Sequence, residues 1–128
     1  MFGKSRIGNI CYYVSDIDRT EAFYRDVLGL EVERMEDDEA GAWLIARTAN
    51  EVDLIFFKME SRPGNSPVVV FDLADGGIDD VVAGLAAKGA TIVTPVSHAP
   101  GGWSSEIVDP DGHTISMYQT AGAPRSLK

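Results

Sequence analysis

Cysteine occurs once in the 128 residues, at Cys11, and histidine twice, at His98 and His113. A lone cysteine makes no internal disulfide, so the chain suits a reducing compartment and a cytoplasmic location is expected. Cations are scarce as well: 11 Lys and Arg stand against 20 Asp and Glu, a formal net charge of -9. Without a basic stripe to displace phosphate counterions, a nucleic-acid partner is not expected. Long apolar runs are missing. The longest, near Val68, has the length of a strand and is too short for a bilayer. No apolar segment follows the charged start Met1 to Arg6, so neither a secretory signal nor a membrane partner is expected. What remains is 45% hydrophobic and 24% charged, an ordinary globular composition. The length suits one domain over 1–128 that buries roughly two-thirds of its unfolded surface.

Periodicity then gives the elements. Ile7 to Val14 is β-branched and aromatic, a strand. Ser15-Asp16-Ile17-Asp18 carries helix-start chemistry, with Asp18 and Glu21 spaced as a capping box. Thr20, Phe23, Tyr24, Val27 and Leu28 recur at helical spacing as the apolar face, and Gly29 ends the helix. Strand-like stretches follow at Leu30 to Met35, Ala42 to Arg47 and Val52 to Lys58, separated by turns. After a linker from Met59 to Ser66 the order returns. Pro67 to Leu73 is a strand, and Ile78, Val81, Val82, Leu85 and Ala86 mark a helix closed by Gly89. Ala90 to Val96, Trp103 to Val108 and Thr114 to Gln119 are strands, the last two joined by the turn Asp109-Pro110-Asp111-Gly112. Residues 120–128 lack periodicity and are expected to form a loose tail. Two βαβββ units, about 6–60 and 66–119, result. One helix and four strands cannot cover both faces of a sheet, so the expected fold is α+β, with curved mixed sheets around a concave pocket and helices outside.

Val14-Ser15-Asp16-Ile17-Asp18 followed by Phe23-Tyr24-Arg25-Asp26-Val27-Leu28-Gly29-Leu30-Glu31-Val32 resembles the opening of vicinal oxygen chelate proteins. These are the glyoxalase, bleomycin-resistance and extradiol-dioxygenase relatives. Asp109-Pro110-Asp111-Gly112-His113-Thr114-Ile115 resembles their closing motif. The resemblance implies a homodimer. It also implies, in metal-using members, one ligand at each of four strand positions. Here three of those positions hold Asn9, Val68 and Ser116. The fourth holds Asp53, or Leu54 if the register shifts by one. An amide, an alkyl group and a hydroxyl are poor donors for a divalent ion, so no metal and no cofactor is expected.

Strand alternation groups the pocket residues. Asn9, Cys11 and Tyr13 share one face, as do Asp53 and Phe57, Val68, Val70 and Asp72, and Ser116 and Tyr118. Apolar area with scattered polar groups is how small-molecule sites are built, and a filled core is the alternative. Trp103, beside Gly101-Gly102, is placed to stack on a flat ligand or to bury at a subunit interface. His98 lies in a glycine-rich loop, either exposed or at the pocket mouth, and His113 follows a turn. Cys11 has no cationic neighbour in sequence and reads as a small buried hydrophobe. The favoured function is metal-free binding of a small aromatic or cationic molecule, of the sequestration or resistance type, with no catalytic residue assigned. The alternatives are a metal-dependent glyoxalase-like lyase or dioxygenase using Asp53, His98, Glu106 or His113, and a dimerising module without a ligand.

Overall fold

A computed structural model describes residues 2–39, 41–49, 51–60, 62, 66–108 and 112–128. The order is β1 (Ile7–Val14), α1 (Ile17–Ala22), a π-helical turn (Phe23–Val27), β2 (Glu31–Asp37), β3 (Gly41–Arg47) and β4 (Asp53–Lys58), then β5 (Val68–Asp72), α2 (Ile78–Ala87), β6 (Thr91–Ala99), β7 (Gly102–Val108) and β8 (Thr114–Thr120). The βαβββ order thus occurs twice, and the α+β class is as expected. Among the described residues no helix is long and apolar enough to cross a membrane. The chain forms two compact units. The N-terminal unit is Gly8–Val68, and the C-terminal unit joins the residues up to Ile7 with Val69–Lys128. Residues 109–111 of the expected turn Asp109-Pro110-Asp111-Gly112, and half of the expected linker from Met59 to Ser66, lie outside the described residues.

In the N-terminal unit the strands run in the order β2-β3-β4-β1, with β1 parallel to β4 and the others antiparallel. One face carries the core. Ile17 of α1 is buried with Leu44, Ala46 and Phe56, and Tyr12, Val14, Tyr24 and Leu30 pack around them. The rings of Tyr12 and Tyr24 lie 5.6 and 4.5 Å from that of Phe56. Two local expectations need correction. Asp16, not Asp18, caps α1, accepting the Arg19 N–H at 2.9 Å. Asp18 and Glu21 instead hold Arg34, at 2.8 and 2.9 Å. The second is the helix face: Phe23, Val27 and Leu28 point to solvent. The widened turn, with Leu28 N–H bonded to the Phe23 carbonyl, rotates the apolar stripe away from α-helical phase and leaves Tyr24 as the inward ring.

The C-terminal unit runs β5-β8-β7-β6, with β5 parallel to β8. Leu73, Ile78, Ile107 and Met117 form its core beneath α2, joined by Val81, Val82, Leu85 and Trp103. β6 continues to Ala99, so His98 stands on a strand opposite Trp103 and not in a loop. Pro95 falls where the β6–β7 register shifts, on the outermost strand of this unit's order, where its missing N–H is tolerated.

The segment after β8 is not loose. Gly77 N–H donates to the Pro124 carbonyl at 2.7 Å, and Asp79 N–H to that of Arg125 at 3.0 Å. The Asp79 carboxylate binds the Arg125 guanidinium at 2.9 Å, and Asp80 accepts Leu127 N–H at 2.7 Å. Gly77, the N-cap of α2, has no side chain to offer, so buried Gln119 and the chain end satisfy the first turn instead. Periodicity does not reveal such backbone pairing.

Candidate functional site

In each unit the helix covers one sheet face, and strand pairing fixes what lies on the other. In the N-terminal unit β1 and β4 pair Asn9 with Asp53, Cys11 with Ile55 and Tyr13 with Phe57. β3 extends two of these rows, pairing Ile45 with Ile55 and Trp43 with Phe57. The helix-free face therefore carries an aromatic row of Trp43, Phe57 and Tyr13, an aliphatic row of Ile45, Ile55 and Cys11, and a polar end at Asp53 and Asn9. The Trp43 and Phe57 rings stack at 5.4 Å with 26° between planes. Cys11 is buried, as expected. Leu54 packs into the helix-side core, so Asp53 and not Leu54 faces away from α1.

Asp53 is already committed. Arg47 binds its carboxylate at 3.1 Å and holds Glu33 at 3.1 Å with its other nitrogen. Tyr13 N–H donates to Ser66 Oγ at 3.1 Å.

In the C-terminal unit Val70, Ser116 and Glu106 form one row, and Asp72, Tyr118 and Ser104 the next. Val70, not Val68, thus stands opposite Ser116, while Val68 is buried one step earlier on β5. Ser116 Oγ donates to the Ser105 carbonyl at 3.3 Å, and Thr94 Oγ1 donates to Glu106 at 2.8 Å. Tyr118 donates to the Pro100 carbonyl at 2.8 Å. Burial raises the Tyr118 phenol above its ordinary value, and the Asp72 charge adds to this, so the phenol stays a donor at neutral pH. Asp72 is itself paired with Arg6 at 3.1 Å.

Trp103 stands apart from the other candidates. It packs in the core beneath α2, with the Arg125 guanidinium 4.3 Å from its ring centroid. Trp43 is the tryptophan on a helix-free face. Its parity in Ala42 to Arg47, opposite to that of buried Leu44 and Ala46, is the signal that could have placed it. His98 and His113 are exposed. Among the described residues no three His, Cys, Asp or Glu side chains stand together as metal ligands. A separate cleft of about 500 Å³, lined by Asp16, Asp18, Arg34 and Lys58 among others, lies at the start of α1. It contains none of the predicted site residues.

The model of the Glyoxalase/Bleomycin resistance protein/Dioxygenase superfamily matches residues 6–117. A "putative lactoylglutathione lyase" of Brassica oleracea var. gemmifera is 27% identical over 134 residues, covering 97% of this chain and 48% of that protein. A lactoylglutathione lyase of Arabidopsis thaliana is 26% identical over 129 residues, covering 93% and 46%. The chain thus spans about half the length of these curated relatives. Among solved structures, a hypothetical protein from Bacillus halodurans C-125 superposes with a TM-score of 0.71 at 16% identity, covering 91% of this chain and 95% of that one. Methylmalonyl-CoA epimerase from Mycobacterium tuberculosis gives 0.65 at 18%, covering 98% and 95%. At these identities the structural likeness shows the fold alone.

Proposed function

The chain belongs to the Glyoxalase/Bleomycin resistance protein/Dioxygenase superfamily, and from that membership we propose a protein that binds a small aromatic or cationic molecule without a metal ion. The observation that carries this reading is the donor set. The positions that the family resemblance assigns to metal ligands hold the Asn9 amide, the Val68 alkyl group, the Ser116 hydroxyl and the Asp53 carboxylate. The last is already paired with Arg47. Such a set does not fit a divalent ion, which imidazole and carboxylate donors hold. The row of Trp43, Phe57 and Tyr13 offers stacking area instead. Asn9, Cys11, Tyr13, Asp53 and Phe57 are the proposed contacts in the N-terminal unit, with Val68. Ser116 and Tyr118 are those of the C-terminal unit. Trp43 takes the stacking part first given to Trp103. The net charge of -9 favours a cationic ligand in the encounter. A cytoplasmic homodimer accompanies this reading, and sedimentation equilibrium reads the dimer.

A thermal-shift screen run in parallel with divalent ions and with flat aromatic and cationic compounds tests the proposal. The expected result is a raised melting temperature with organic compounds and none with Zn²⁺, Ni²⁺, Mn²⁺ or Fe²⁺. Stabilisation by a metal alone, reversed by EDTA, would overturn it. The plant relatives favour a second reading, a metal-dependent lyase, and that outcome would select it.

A further inference from the structure

We infer that the indole N–H of Trp43 selects the ligand, which is therefore an aromatic molecule bearing a hydrogen-bond acceptor on its ring edge. The inference rests on the ligand-binding reading above and narrows it. Trp43 is only 9% exposed. Its Nε1 is the one buried side-chain nitrogen or oxygen among the described residues that lacks a hydrogen-bond partner. Buried donors are paired as a rule, and an orphaned one is a standing cost to the folded chain. A phenylalanine would stack on Phe57 from the same position without that cost. Trp43 itself belongs to the row of rings shared with Phe57 and Tyr13, on the face opposite the α1 core. A buried water needs about two to four polar partners. Met35, Ile45 and Phe57, the strand neighbours of Trp43 on this face, carry no side-chain nitrogen or oxygen. An aromatic acceptor satisfies both features at once, with its plane against the ring row and its lone pair on the indole hydrogen.

Quinoline and naphthalene, alike in shape and differing by one ring-nitrogen acceptor, are the probes. Both are titrated at neutral pH while the two tryptophan indole N–H signals are followed by ¹H–¹⁵N spectroscopy, with the W43F spectrum assigning them. Quinoline is expected to bind about three- to tenfold more tightly than naphthalene, the worth of one hydrogen bond. It is also expected to move the Trp43 signal downfield. In W43F quinoline should bind no more tightly than naphthalene. Equal affinities in the unaltered protein, or a Trp43 signal that stays in place while both probes bind, would overturn the inference and leave the ligand-binding reading intact. A signal already at a hydrogen-bonded position in the free protein, unmoved by either probe, would give the donor to a buried water and also overturn it. If neither probe binds, the ligand-binding reading of this face fails, and the inference fails with it.

Discussion

Asp53 holds the one carboxylate among the four ligand-equivalent positions, and its neighbours decide what that carboxylate does. Arg47 sits between it and Glu33, so one guanidinium serves two anions at the end of the strand rows. The Arg47 and Asp53 side chains are 43% and 28% exposed, so solvent screens the pair and little stability rests on it. The change Asp53→Asn is expected to cost about 0–1 kcal/mol in urea denaturation and to leave the response to added Zn²⁺ flat. A lost metal-dependent rate in this variant would instead make Asp53 a ligand. Asn9 and Asp53 were legible as candidates because residue type and motif distance suffice for that. Whether Asp53 or Leu54 faces away from α1 was not legible. Alternation leaves strand register open by one residue, and only the pairing of Asn9 with Asp53 closes it.

Among the elements, β1 is found where alternation put it, and α1 is not wound as expected. The spacing of Thr20, Phe23, Val27 and Leu28 is helical, but hydrophobic periodicity assumes one winding throughout. The π-helical turn breaks that phase and turns three large apolar side chains outward. The first turn of α2 is likewise invisible to local reading, because its acceptors come from residues more than forty positions away, Gln119, Pro124 and Arg125. Asp80 shows what the chain end contributes. The Leu127 N–H, chiefly, holds its carboxyl below the ordinary value, and Ser126 and Lys128 add to that. A carboxyl whose folded value lies below its unfolded one stabilises the docked chain end at neutral pH. That contribution is lost as pH falls through the folded value, below about 3.9. The Leu127 amide resonance is therefore expected to titrate with a midpoint beneath that of a free aspartate. Trimming by an acid-active carboxypeptidase should accelerate over the same range. A Leu127 amide indifferent to pH there would show that Asp80 does not hold the chain end.

At the scale of the whole chain the repeat was the most legible feature, since two rounds of strand, helix and three strands need only patterning. The division between units was less so. Sequence order assigns the first residues to the first repeat, yet they pack with the second. Phe2 stacks on Phe71 at 4.7 Å and joins the core beneath α2. Asp72 N–H donates to the Arg6 carbonyl at 3.2 Å, and the two side chains pair. The C-terminal unit is thus closed by a segment some seventy residues away in sequence, a contact with no local signature. Truncating a buried phenylalanine costs about 3–5 kcal/mol, and the partly buried Phe2 should cost less, about 1–3 kcal/mol. The loss from Phe2→Ala is expected first in its own unit. Amide exchange should quicken at Asp72 and Leu73 before it does at Leu44 and Phe56 of the N-terminal core. Faster exchange at Leu44 and Phe56 with Asp72 unchanged would assign the first residues to the N-terminal unit after all.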